Sequence, residues 1–157
     1  MSCLAWNCRG LGNLRTVREL GEIVRAKDPS LVFLVETLTD EARLEFVQGS
    51  LGFNHRWVVP RVGRSGGLVL FWKDSVKLTV VGSCNNYIDA FVDKGEESEW
   101  RITGFYGEPE TANRIEAWNK LRCLNSHPIC PWLCLGDFNE IVRQDEKVGG
   151  GGCFKVS

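Results

Sequence analysis

The sequence predicts an α/β sandwich with mixed sheets, and three observations predict it. The chain opens strand–helix–strand. Its middle holds five short segments rich in β-branched and aromatic residues. Its helical segments each present one apolar face and sit between strands. At 157 residues, with 43% hydrophobic and 25% charged residues, the chain reads as one globular domain over 1–157. Six Trp and eight Phe are enough aromatic volume for several packed layers.

Residues 2–8 read as a short buried strand ending at Asn7. Cys8-Arg9-Gly10-Leu11-Gly12-Asn13 is a turn with two glycines. Leu14, Val17, Leu20, Ile23 and Val24 then recur at helical spacing, which predicts a helix over 14–27 that Asp28-Pro29 stops. Leu31–Val35 is a continuous apolar run of strand length that ends in Glu36. A second helix, about 40–50, is capped by Thr39 or Asp40 and carries Ala42, Leu44, Phe46 and Val47. Strand–helix–strand at this spacing is a βαβ unit, so the first two strands should be parallel neighbours.

Phe53–Val59, Gly67–Trp72, Val76–Gly82, Tyr87–Val92 and Trp100–Tyr106 are the five middle strands, separated by turn residues. They read as an antiparallel meander. A third helix follows over about 111–124, with Ile115, Trp118 and Leu121 on one face, and Pro131–Leu135 is the next strand. From about residue 141 the apolar pattern fades, and Gly149–Gly152 is a run of glycines, so the tail is expected to be irregular.

No apolar run is long enough to span a bilayer, and Met1–Asn7 lacks the basic and long apolar regions of a signal peptide. Seven cysteines form no CxxC pair; Cys130 and Cys134 share a strand face without a companion His motif. Zinc is therefore not expected, and reduced thiols in an intracellular protein are. Net charge is −1, but the halves differ: residues 1–80 hold 11 basic against 8 acidic side chains, residues 81–157 hold 8 against 12.

Four strand ends carry unusual polar residues: Asn7, Glu36, Tyr106, and Asp137 with Asn139. Loops at strand ends are where α/β sheets bind ligands. A Glu directly after five apolar residues is costly to bury unless paired or metal-bound. Asp137 and Asn139, two residues apart after Gly136, place a carboxylate and an amide on one side of the chain. Each residue alone also suits a plain structural role: a turn former, a cap, a rim aromatic, an Asx turn. Together they form a set of hard oxygen donors suited to Mg²⁺ or Mn²⁺ and to a water attacking phosphorus. Arg9, Arg61 and Arg64 lie on the neighbouring turn and on a basic glycine-rich loop, which suits contacts to DNA phosphates and equally suits an ordinary solvated turn.

These stretches resemble the endonuclease/exonuclease/phosphatase family, and within it the endonuclease domain of LINE-type (non-LTR) retrotransposons, particularly plant ones. The matching segments are Ala5–Gly12, Phe33–Thr37, Gly66–Trp72, Thr103–Gly107 and Trp132–Glu140. The resemblance implies two packed mixed sheets with outer helices, and a Mg²⁺- or Mn²⁺-dependent phosphodiesterase acting on DNA, with a nuclear place of action. It assigns Glu36 as principal metal ligand with Asn7 beside it. It assigns Asp137 to the attacking water, Asn139 to water, phosphate or metal, and Tyr106 to the scissile phosphate. The family site also takes an Asp and an Asp-His pair from a C-terminal half, which residues 1–157 do not supply. The histidines here, His55 and His127, lie in other contexts. The resemblance therefore implies a second sheet that is not completed, with an exposed strand edge open to association, and an impaired or inactive chain. Two alternatives stand beside the DNA endonuclease: a non-catalytic remnant or binding module, and a phosphatase acting on a small phosphorylated molecule.

Overall fold

The computed structural model describes residues 1–125 and 130–141. The expectations for His127 and for the tail beyond residue 141 lie outside the described residues. In chain order the elements are β1 (Cys3–Asn7), α1 (Leu14–Lys27), β2 (Leu31–Val35), α2 (Glu41–Leu51), β3 (His55–Val59), β4 (Leu68–Trp72), β5 (Leu78–Cys84), β6 (Tyr87–Val92), β7 (Trp100–Tyr106), α3 (Arg114–Leu124) and β8 (Trp132–Asp137). A 3₁₀ turn, Thr111–Asn113, leads into α3.

Two four-stranded sheets pack face to face, in the orders β1-β2-β4-β3 and β5-β6-β7-β8. Both are mixed: β1 and β2 run parallel, as do β7 and β8, and the other pairs are antiparallel. The five middle strands are not one meander. β3 and β4 complete the first sheet, where β4 inserts beside β2, and only β5–β7 form the antiparallel run of the second. The reason lies in β4 itself. Leu68, Val69, Leu70 and Phe71 are all buried, so both faces of this strand need cover, which an interior position supplies.

β2 shows how alternation divides the core. Val32 and Leu34 face α1 and α2, where they meet Leu20, Val24, Leu44 and Val47. Leu31, Phe33 and Val35 face the second sheet, where they meet Ile88, Ala90, Val92 and Ile102. Gly104 on β7 lies where Phe33 crosses the gap; a Cβ there would collide with the Phe33 ring.

α1 spans the predicted residues. Asn13 caps its start by accepting from the Arg15 N–H, and Asp28 ends it in the left-handed conformation. Its buried side chains are Leu20 and Val24, whereas Leu14 is exposed, as is Phe46 on α2. On α3 the expected face holds at Trp118 and Leu121 but not at Ile115. Ile115 points to solvent, and the helix rests on Ala117 and on Trp118, whose ring lies 5.9 Å from Phe105 and 6.0 Å from Phe138. β1 and β8 end their sheets, and among the described residues neither outer edge has a partner strand. No helix among the described residues is long and apolar enough to cross a membrane.

Candidate active site

Because β1 and β2 are parallel, Asn7 ends its strand beside Val35, and Glu36 follows immediately. Because β7 and β8 are parallel, Tyr106 ends its strand beside Asp137. β1 and β8 touch across the sandwich. The four strand ends therefore meet at one end of the molecule.

Two side-chain bonds join the sheets there. Tyr106, on the inner face of β7, donates its hydroxyl to Glu36 Oε1 at 2.7 Å. Asn7 donates Nδ2 to Asp137 Oδ2 at 2.9 Å. Burial first, then the bond to Glu36 and the charges of Glu36, Asp137 and Glu108, push the Tyr106 phenol well above the ordinary tyrosine range. It is therefore a neutral O–H donor at neutral pH. Asp137 Oδ1 accepts the Asn139 N–H at 3.0 Å, so Asn139 does close an Asx turn. Its Nδ2 donates to the Gly107 carbonyl at 2.6 Å and ties the end of β8 to the end of β7. Gly107 has to lack a side chain here, since a Cβ would strike the Phe138 carbonyl.

Glu36 is held from both sides. Its own φ is +54°, a left-handed conformation unusual for a non-glycine residue. Gly10 N–H donates to the Glu36 carbonyl at 2.8 Å, and Leu11 N–H to the Thr37 carbonyl at 2.9 Å. On the far side, Thr37 N–H donates to Gly67 O at 3.2 Å and Leu38 N–H to Gly66 O at 3.3 Å. The buried Cys8 thiol, which burial pushes up to about 11, donates to the Val35 carbonyl at 3.1 Å.

These two flanking loops carry the three arginines singled out in the sequence. Arg9 lies on the β1–α1 loop with its N–H on Asn7 Oδ1 at 3.1 Å, and Arg61 and Arg64 are exposed on the β3–β4 loop. His55 lies elsewhere. It pairs with Trp72 in the β3–β4 register, whereas Leu68, at the other end of β4, pairs with Val35. It bonds Asp74 at 2.6 Å and stacks on Trp72, a surface arrangement at the opposite end of the sheet.

The donor set is hard oxygen throughout: two carboxylates and the amide oxygens of Asn7 and Asn139. No hydrogen bond among the described residues occupies Glu36 Oε2. No group of three or more His, Cys, Asp or Glu gathers among the described residues. Two carboxylates and amides fit a hard divalent cation that keeps several of its waters, and they do not fit zinc or copper.

A model described as the Endonuclease/Exonuclease/phosphatase family matches residues 4–155. The chain belongs to that family. Comparison with curated proteins finds no match. Among solved structures, the human Nocturnin catalytic domain with bound sulfate anion is 16% identical, with a TM-score of 0.61 over 88% of this chain and 64% of that one. A 3′–5′ exonuclease (NExo) from Neisseria meningitidis is 16% identical, with a TM-score of 0.62 over 88% of this chain and 58% of that one. The mannosyl-6-phosphatase Bt3783 of Bacteroides thetaiotaomicron is 14% identical, with a TM-score of 0.61 over 91% and 66%. The likeness at these identities is one of endonuclease/exonuclease/phosphatase fold, and the chain spans two thirds or less of these structures.

Sequence reasoning missed a second polar cluster on the outer face of the second sheet. Arg101 and Asp89, both 2% exposed, form a bidentate pair: Nε to Oδ1 at 2.9 Å and Nη2 to Oδ2 at 2.8 Å. Arg101 Nη1 donates to the Leu124 carbonyl at the end of α3 at 2.6 Å. Thr103 donates to Asp89 Oδ1 at 2.7 Å and accepts from Trp132 Nε1 at 2.9 Å. The signal was present: Asp89, Arg101 and Thr103 are polar residues inside otherwise apolar strands. This network pins α3 to β6, β7 and β8 near the start of β7 and β8, at the other end of these strands from Tyr106 and Asp137.

Proposed function

We propose that this end of the sandwich is the metal- and water-positioning part of a divalent-metal-dependent phosphodiesterase acting on DNA, of LINE-type retrotransposon ancestry. The observation that carries the reading is the pair of bonds Tyr106–Glu36 and Asn7–Asp137. They bring a metal-type carboxylate and a base-type carboxylate, each already oriented by a neutral donor, to the junction of the two sheets. Enzymes of this family generally use divalent metals. Glu36, with its free oxygen, and Asn7 would hold the cation, with Asp137 and Asn139 alongside. When bound, the cation stabilises charge that develops on the phosphate.

The chain's own residues divide the rest of the work. Asp137, fixed by Asn7 and by the Asn139 N–H, orients and deprotonates the attacking water. Tyr106 holds Glu36 in place and keeps its proton, so it acts as a donor and not as a nucleophile. Arg9, Arg61 and Arg64 neutralise backbone phosphates on either side of Glu36. DNA is favoured over a small phosphorylated molecule by this cationic rim and by the resemblance of the Ala5–Gly12 and Trp132–Glu140 segments. A nuclear place of action follows from the same reading.

The test is binding of a labelled DNA duplex followed by fluorescence anisotropy. Mg²⁺ should tighten binding to the native chain and have no such effect on Glu36→Gln, and a small sugar phosphate should not compete. Equal affinity with and without Mg²⁺ in both proteins would count against the reading.

A further inference from the structure

We infer that Asn86 is the positioning residue of this site: it holds the last residue of β7 so that the Tyr106 hydroxyl meets Glu36. The inference rests on the reading of Glu36 and Tyr106 as site residues.

The β6–β7 register ends at Tyr87 and Phe105, so on the β6 side Tyr106 lies one residue beyond the ladder, while on the other side it pairs with Asp137 of β8. Gly107, the residue after it, is held among the described residues from the β8 side alone, its N–H on the Asp137 carbonyl at 2.8 Å and its carbonyl on Asn139 Nδ2. Asn86, in the turn between β5 and β6, closes that gap. Its backbone carbonyl accepts the Tyr106 N–H at 2.7 Å, and its side-chain Nδ2 donates to the Tyr106 carbonyl at 3.0 Å. One residue thus binds both backbone polar groups of Tyr106. That fixes the peptide planes on either side and the direction in which the phenol leaves β7.

The rest of the amide is also used. Nδ2 donates to Glu108 Oε1 at 3.1 Å, and Oδ1 accepts Lys120 Nζ from α3 at 2.8 Å. Asn86 is 1% exposed, so each of these groups would be costly to leave unpaired. Aspartate lacks the donor and would face the Glu108 carboxylate, and alanine keeps only the backbone carbonyl that accepts the Tyr106 N–H. The turn Cys84-Asn85-Asn86, which reads in the sequence as mere punctuation, is in this account a support of the site, coupled to α3 through Lys120.

The test uses the two tyrosines of the chain, Tyr87 and Tyr106. Fluorotyrosine-labelled full-length protein gives two ¹⁹F resonances, assigned with Tyr106→Phe. In the native background, Glu36→Gln should shift the Tyr106 resonance, because the phenol loses its carboxylate partner. In the Asn86→Ala background the same substitution should move it by less than half as much. Lys120→Met, which leaves the turn intact, should give an intermediate loss. A merely structural Asn86 would lower the melting temperature yet leave the Glu36→Gln shift at full size, and that result overturns the proposal. So does the absence of any shift in the native background. Should Asn86→Ala not fold, Asn86→Asp and Lys120→Met decide by the same criterion. The readout uses neither metal nor DNA, so failure of Mg²⁺ to act on DNA binding refutes the phosphodiesterase reading without touching this one.

Discussion

Replacing Arg101 by Met should lower the stability of the protein by about 3–5 kcal/mol, the usual cost of removing one partner of a buried ion pair. Both residues of the Arg101–Asp89 pair are almost wholly buried. The substitution leaves Asp89 with Thr103 as its remaining donor, and strips the Leu124 carbonyl of its cation. It also removes the guanidinium that lies 4.9 Å over the Trp132 ring. Arg101→Lys should not rescue, because an ammonium cannot reproduce the two-pronged contact while also reaching Leu124. Substituting both partners by apolar residues should recover much of the loss, since no uncompensated charge then remains. Urea unfolding of the two single variants and the double variant measures this directly. A loss below about 1 kcal/mol in Arg101→Met, the range of exposed pairs, would show that the pair is solvated in solution. The effect should reach the site as well. α3 carries Trp118, whose ring lies against Phe138, between Asp137 and Asn139.

On supercoiled plasmid with Mg²⁺, the polypeptide 1–157 should nick at no more than a trace rate, and Asp137→Ala should remove that trace. Catalysis of phosphodiester cleavage depends on donors aimed at charge that develops on the phosphate, and loss of a single such donor costs about 10²–10³ in rate. The resemblance assigns an Asp and an Asp-His pair to this task. His55, the histidine among the described residues, sits at the far end of the first sheet, on Asp74 and Trp72. Among the described residues the outer edges of β1 and β8, beside the site, have no partner strand, and misplacement of reacting groups by about 1 Å can cost a further 10²-fold or so. Robust nicking that vanishes in Asp137→Ala would show that the residues described here suffice, with another group in the place of the histidine.

Much of the fold was legible because its signals are local. The helical spacing of Leu14, Val17, Leu20, Ile23 and Val24, with Asp28-Pro29 after, marks α1, and Leu31–Val35 is an apolar run of strand length. The allocation of strands to sheets was not legible. β4 is apolar from Leu68 to Trp72, as a strand covered on both faces must be, but such a run does not say which sheet it enters or that β3 follows it there. Ile115 misled for a related reason: helical spacing identifies a face, but α3 had Phe105 and Phe138 to cover, and Trp118 meets them while Ile115 points to solvent. At the site, the polar residues could be picked out because each follows an apolar run. Their pairing could not, because Tyr106 and Glu36 stand 70 positions apart and Asn7 and Asp137 stand 130 apart. Asp89 and Arg101 escaped notice because charges inside strands are more often solvent-facing than paired beneath a helix.

The central claim is that Glu36, Asn7 and Asp137 form one cation site at the junction of the two sheets. The most direct measurement is the anomalous signal of Mn²⁺ in crystals of the native chain and of Glu36→Gln. The account predicts a peak beside Glu36 Oε2, flanked by Asn7 and Asp137, that disappears in the variant. No peak beside Glu36, or one beside Asp137 that persists unchanged in Glu36→Gln, would contradict it.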